Sequence, residues 1–215
     1  MTTPDFAVHL VDDDSSYLAA TQRLLRLRGF PVQAFASAAA LLAQVSADTR
    51  GCVVADLCMP GVGGLDLQDA LVRLCPSLPM IFLSGRGDIP NTVRAMRGGA
   101  EDFLEKRCSQ EQLVDAVKRA LERNASAHAA RAKVLALRAG FDALTARQRE
   151  VLTHILRGRR NKQIAFDLAI DERTVKLHRT AIITKLKVHS AVDLGRLWQA
   201  TGLPDSDLEH FPNGQ

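Results

Sequence analysis

Six side chains placed just after apolar runs have the chemistry to manage a phosphoryl group and a divalent cation. Asp12, Asp13 and Asp14 directly follow the run Ala7–Val11, and Asp56 follows Cys52–Ala55. Ser84 follows Met80–Leu83, and Lys106 comes shortly after Phe103–Leu104. Carboxylates gathered in one cleft repel each other and need a cation to offset them. Oxygen ligands with no soft donor favour Mg²⁺, which also holds phosphate oxygens readily. A carboxylate beside Mg²⁺, a lysine and a hydroxyl can attack a phosphoryl group as a nucleophile. Taken singly, an Asp after a strand is a turn residue or helix cap, and a Lys there is solvated surface. It is their recurrence at successive run ends that points to one site.

That convergence requires a particular fold. The runs Ala7–Val11, Pro31–Phe35, Cys52–Ala55, Met80–Leu83 and Phe103–Leu104 read as short strands. Between them lie helical patterns carrying Leu18, Leu24, Leu25 and Leu27, then Leu65, Leu67, Leu71 and Leu74. Ser109 with Gln112 makes a capping box ahead of the stripe Leu113, Val114, Val117 and Leu121. Five strands, each followed by a helix, imply an α/β fold: a doubly wound, five-stranded parallel sheet with right-handed crossovers. Ligands of such sheets bind outside the carboxyl ends of the strands.

The composition allows this. Of 215 residues, 47% are hydrophobic and 24% charged, as in soluble globular proteins, which excludes fibrous and wholly disordered classes. The net charge of +4 hides an asymmetry. Residues 1–125 hold 13 basic and 15 acidic side chains, whereas residues 126–215 hold 15 basic and 9 acidic. The acidic half carries the carboxylates; the basic half suits a polyanion. No apolar stretch reaches the roughly 18 residues of a membrane span. No basic segment precedes the first apolar run, which argues against a signal peptide. Cys52, Cys58, Cys75 and Cys108 form no C-x-x-C pair or zinc pattern, so reduced thiols and a cytoplasmic location are expected.

The basic half reads as all-helical from residue 142 to 200, after an Ala/Arg-rich helical linker at 124–141. Thr145 with Gln148 caps one helix, which Gly158 ends; Lys162–Leu168 forms a second. Asp171 caps a third that runs to about Leu186, and Ser190 with Asp193 caps a fourth, stopped by Gly202 and Pro204. On the third helix, Val175, Ile182 and Leu186 share one face. Arg173, Lys176, Leu177, Thr180 and Thr184 share the other. A basic, polar face on the second helix of a helix–turn–helix pair suits the major groove of DNA. Leu177 could meet a thymine methyl group, while Arg159, Arg160, Lys162 and Lys185 would reach phosphates.

The segments VHLVDDD, VVADLCMPGVGG, IFLSG and EDFLEK resemble the receiver domain of bacterial response regulators over about residues 5–123. The resemblance implies a flavodoxin-like fold with Asp56 as phosphoacceptor. It implies Mg²⁺ bound by the Asp13 and Asp56 carboxylates, the Cys58 backbone carbonyl, and Asp12 through water. Ser84 and Lys106 would contact the phosphoryl group, and Phe103 matches the aromatic that turns inward on activation. Cys58 and Arg86 fall at positions that tune dephosphorylation. One departure is Arg107, which stands where receivers usually have Pro; its loss would loosen the loop and move the lysine. The segments LTARQREVL, NKQIAFDLAI and RTVKLHRTAIITKLKV resemble the four-helix domain of LuxR/NarL/FixJ regulators. By position, Lys176, Leu177 and Thr180 would contact bases, with Arg173, Arg179 and Asn161 as backbone or supporting contacts and Lys162 on phosphate. The stripe Leu194, Leu197 and Trp198 would form a dimer surface, or pack into the core.

Together the two halves resemble a FixJ-type two-component regulator: receiver at 5–123, linker at 124–141, LuxR-type domain at 142–202 and an acidic tail at 203–215. The implied partners are a sensor histidine kinase, double-stranded promoter DNA, RNA polymerase and, on activation, a second copy of the chain, with no membrane. The alternative is a phosphorylation-independent DNA-binding regulator with an atypical receiver. A Mg²⁺-dependent phosphohydrolase commonly needs a second acid two residues after its nucleophile, where this chain has Cys58, so no enzyme is expected.

Overall fold

The computed structural model describes residues 6–85 and 89–202. Arg86, Pro204 and the acidic tail at 203–215 therefore lie outside the described residues. Two compact units divide at residues 129 and 130.

The first unit alternates strand and helix. In chain order these are β1 (Ala7–Val11), α1 (Ser15–Leu27), β2 (Val32–Phe35), α2 (Ala38–Leu42), β3 (Gly51–Asp56), α3 (Gly64–Leu74), β4 (Met80–Ser84), α4 (Ile89–Arg97) and β5 (Asp102–Glu105). The sheet is five-stranded and wholly parallel, in the order β2-β1-β3-β4-β5. Every residue of β1, β3 and β4 is buried, as the continuous apolar runs require of a sheet covered on both faces. Alternating side chains feed two cores. Val53, Ala55, Met80 and Phe82 enter one; Val8, Leu10, Val54 and Ile81 enter the other.

The order reverses between β1 and β3, so their carboxyl ends flank a crevice, and Asp12 and Asp56 sit at its two sides. Gly64, at the start of α3, is packed so closely that an added Cβ would lie 2.7 Å from the Asp56 carbonyl oxygen and 2.9 Å from the Phe82 ring.

Two of the expected stripe residues point elsewhere. Leu27 is 76% exposed and Leu74 is 48% exposed. On α1 it is Thr21 and Leu25, four apart, that are buried, and Leu27 lies two residues further round the helix.

The helix α5 runs unbroken over Gln110–Asp142, so the segment expected as a linker continues the preceding helix. Both ends of that segment are tied down. Asn124 is buried in the first unit, where its Oδ1 accepts from the Gly51 N–H at 2.9 Å and its Nδ2 donates to the Ser77 carbonyl at 2.6 Å. Phe141 is fully buried in the second unit, edge-on to Trp198 at 5.2 Å.

The second unit adds α6 (Ala146–Leu156), α7 (Asn161–Asp167), α8 (Glu172–Leu186) and α9 (Ala191–Ala200). The expected caps hold these helices. Thr145 and Gln148 form a reciprocal box, Asp171 accepts from the Thr174 N–H, and Ser190 accepts from the Asp193 N–H. Gly158 and Gly202 take positive φ after α6 and α9.

Candidate functional site

Four strand ends, those of β1, β3, β4 and β5, converge at the carboxyl edge of the sheet. Asp12 is the first residue after β1 and is 1% exposed. Asp56 ends β3 and Ser84 ends β4, both buried. Asp13 is exposed beside them. Carboxylate oxygens of Asp12, Asp13 and Asp56 lie within 4.8 Å of one another. Asp14 instead caps α1, accepting from the N–H groups of Ser16 and Tyr17.

Lys106, just after β5, reaches into the cluster. Its Nζ donates to Asp56 Oδ2 at 2.9 Å and stands 2.7 Å from Asp12 Oδ2. Its backbone N–H donates to the Ser84 carbonyl at 2.8 Å, which locks β5 to β4 at the site. Burial pushes the Lys106 ammonium down, but the two carboxylates outweigh it and the net shift is upward. At Asp12, by contrast, burial prevails and raises the carboxyl, against the opposing pull of Lys106.

The donor set fits a hard divalent cation. It is all oxygen, and Asp12 Oδ2 is a buried atom with no aligned hydrogen bond despite the nearby ammonium. The other oxygens are partly engaged: the Asp14 N–H donates to Asp12 Oδ1 at 2.9 Å, and the Cys58 N–H donates to Asp56 Oδ1 at 3.2 Å.

Arg107 does not displace the lysine. Its side chain is 86% exposed and pairs with Glu105, and the turn is closed by the Cys108 N–H on the Glu105 carbonyl at 2.8 Å. Phe103 is half-buried, with its ring 6.1 Å from that of Phe82. Tyr17 was not legible as a site residue, yet its ring lies under Lys106 Nζ at 4.6 Å.

In the second unit, Val175, Ile182 and Leu186 are buried as the spacing predicts. Arg173, Lys176, Leu177, Thr180 and Thr184 are exposed together, and Leu177 is 64% exposed within this polar face. Lys176 is only loosely engaged, 3.7 Å from Glu172. Arg179 and Asn161 are half-buried, in keeping with supporting positions, and Lys162 is exposed.

Two of the expected surface sets also make contacts within the unit. Lys185 donates to the Ala143 carbonyl at 3.1 Å and to Gln148 Oε1 at 2.9 Å, so it ties α8 to the start of α6 while its side chain stays exposed. On α9, Leu194 and Trp198 are 1% and 3% exposed. They join the core with Phe141, Val151 and Leu152, while Leu197 packs against it half-buried. Of the two expectations for this stripe, a dimer surface or core packing, Leu194 and Trp198 follow the second.

Comparison with known proteins matches both units to known domains. Residues 8–118 match the response regulator receiver domain, and residues 142–198 match the luxR family of bacterial regulatory proteins. The chain is 40% identical over 190 residues to the response regulator protein TodT of Pseudomonas putida, covering 88% of this chain and 84% of that protein. It is 37% identical over 202 residues to the transcriptional regulatory protein FixJ of Rhizobium meliloti, covering 94% and 99%. Among solved structures it resembles the response regulator StyR, with a TM-score of 0.82 and 40% identity over 91% of this chain and 98% of that one. Full-length FixJ from B. japonicum matches with a TM-score of 0.55 and 32% identity over 93% and 98%. An acidic crevice closed by a lysine, joined in one chain to a helix–turn–helix unit with a basic face, thus places this protein among the two-component response regulators of the FixJ/NarL family, transcriptional regulators with a LuxR-type DNA-binding domain.

Proposed function

We propose that Asp56 accepts a phosphoryl group from the phosphohistidine of a sensor histidine kinase, and that this modification switches DNA binding by the second unit. The observation that carries the reading is the position of Lys106 Nζ, shared between Asp12 and Asp56 at 2.7 and 2.9 Å. One ammonium cannot neutralise three carboxylates, so the crevice retains negative charge that a cation would offset.

Asp12, Asp13 and Asp56 would hold Mg²⁺, with the Cys58 carbonyl as a further oxygen ligand. When bound, the cation supplies charge to offset the phosphoryl oxygens. An Asp56 Oδ atom forms the new P–O bond as the P–N bond of the donor breaks, and the imidazole keeps the electron pair and takes a proton. Lys106, already at Asp56, pairs with the charge that arrives, and the Ser84 hydroxyl donates to a phosphoryl oxygen. Phe103 follows into the space beside Phe82. The altered face then pairs with that of a second copy. Moving a two-state equilibrium from roughly 1:99 to 99:1 takes about 5.5 kcal/mol, so a partial response needs less.

The output is binding to double-stranded promoter DNA. Lys176, Leu177 and Thr180 read base edges, with Arg173, Arg179, Asn161 and Lys162 on or near the backbone; exposure of Leu177 among polar residues supports a base-facing role. Contact with RNA polymerase and a cytoplasmic location complete the reading. No helix among the described residues is long and apolar enough to cross a membrane.

Incubation with phosphoramidate and Mg²⁺, followed by intact-mass measurement, tests the switch. A single phosphoryl adduct on the wild type that disappears in Asp56→Asn is expected. No adduct, reproduced with a phosphorylated histidine donor, would leave a phosphorylation-independent DNA-binding regulator.

A further inference from the structure

We infer that Tyr17 is a positioning residue for Lys106, holding the lysine from both ends so that its ammonium stays over the acceptor carboxylate. The inference rests on the phosphoacceptor reading above. Two contacts carry it. The Tyr17 hydroxyl donates to the Lys106 backbone carbonyl at 3.3 Å. The Tyr17 ring lies 4.6 Å beneath Lys106 Nζ, on the far end of the same residue.

The sequence explains how these contacts coincide. Asp14 caps α1 and accepts from the Tyr17 N–H at 3.1 Å, so Tyr17 is fixed in the first helical turn beyond the acidic cluster. That turn faces the end of β5. Burial raises the phenol above its usual range, which keeps it protonated and able to donate.

The turn after Lys106 is closed by the Cys108 N–H on the Glu105 carbonyl, and it is the Tyr17 hydroxyl that holds the Lys106 carbonyl. Arg107 is exposed and spends its guanidinium on Glu105. A long lysine side chain has many rotamers, and ordering them is costly. A ring face beneath the ammonium and a hydrogen bond at the backbone select the rotamer that reaches Asp12 and Asp56.

The test uses the full chain as wild type, Tyr17→Phe and Tyr17→Leu. One readout is the rate of phosphoryl adduct formation with phosphoramidate and Mg²⁺. The other is the rate at which Lys106 is acetylated by acetic anhydride, read by peptide mass against Lys118 in the same samples. A structural role alone would not single out Lys106. Tyr17→Leu should slow adduct formation about fivefold and speed acetylation of Lys106 but not of Lys118. Tyr17→Phe, which keeps the ring, should fall between Tyr17→Leu and wild type in both. Wild-type rates in Tyr17→Leu overturn the assignment while leaving the switch intact. If Tyr17→Leu does not fold, wild-type rates in Tyr17→Phe overturn it instead. No adduct on the wild-type chain removes the phosphoacceptor reading itself.

Discussion

Lys106 and Asp12 meet across the carboxyl edge of the sheet, with Nζ 2.7 Å from Oδ2, although 94 positions separate them in the chain. Asp12 is 1% exposed, so its charge is compensated by the ammonium or by a cation, since water cannot reach it. The lysine therefore has a structural duty in the resting protein as well as a proposed role during phosphorylation.

Removing the lysine should expose that duty. Lys106→Met leaves Asp12 and Asp56 facing each other uncompensated, and the first unit should lose about 2 kcal/mol in EDTA. Added Mg²⁺ should return most of the loss. Urea unfolding followed by far-UV circular dichroism checks this, and an unchanged midpoint in EDTA would contradict the geometry.

Asn124 ties α5 to the sheet through Gly51 and Ser77. Gly51 has a φ of +124° and no room for a Cβ, so that strand start cannot readjust. Asn124→Leu should cost about 2–4 kcal/mol, because a buried N–H and a partly buried carbonyl lose their partner. Far-UV unfolding should record it, while fluorescence of Trp198, the one tryptophan, should report an unaltered second unit.

His9 gives the first unit a pH dependence. It is buried, and burial depresses its pKa below the usual value of about 6.5. The unfolded chain therefore binds a proton at a higher pH than the folded one. Stability is full above about 6.5 and is lost as pH falls from there through the lower folded value. Urea midpoints should drop between pH 7.5 and 5.5 in wild type and change less in His9→Gln. The difference between wild type and His9→Gln is the readout, because burial also raises the Asp12 carboxyl and that contribution is common to both.

The two apolar residues Leu177 and Trp198 should separate surface from core. Leu177→Ala should weaken specific DNA binding roughly fivefold at unchanged melting temperature, since the side chain is exposed. Trp198→Ala should destabilise the second unit by about 3–5 kcal/mol. Thermal melts alongside anisotropy with a selected duplex distinguish the two. Loss of stability in Leu177→Ala would place it in packing instead.

Sequence patterns reached the parts whose physics is local. Strand ends at Asp12, Asp56 and Ser84, and caps at Ser109, Thr145, Asp171 and Ser190, depend on neighbours within a few residues. Contacts across the chain were beyond such patterns. Nothing in the spacing links Tyr17 to Lys106, Asn124 to Gly51, or Lys185 to Ala143. The stripe on α9 shows a different limit: Leu194 and Trp198 have the same spacing whether they meet a second copy or Phe141, and only the packed unit decides. Arg107 shows the same limit, because Lys106 is placed by residues distant in the chain, Asp12, Asp56 and Tyr17.

The most direct test of the switch joins the two units. A duplex selected from a random library by the phosphorylated protein would be titrated with wild type and Asp56→Asn by fluorescence anisotropy, each with Mg²⁺, with and without phosphoramidate. The account predicts that phosphoramidate tightens wild-type binding about tenfold or more and leaves Asp56→Asn unchanged. Equal affinity of the wild-type protein in both conditions, with the adduct verified by mass, would contradict it.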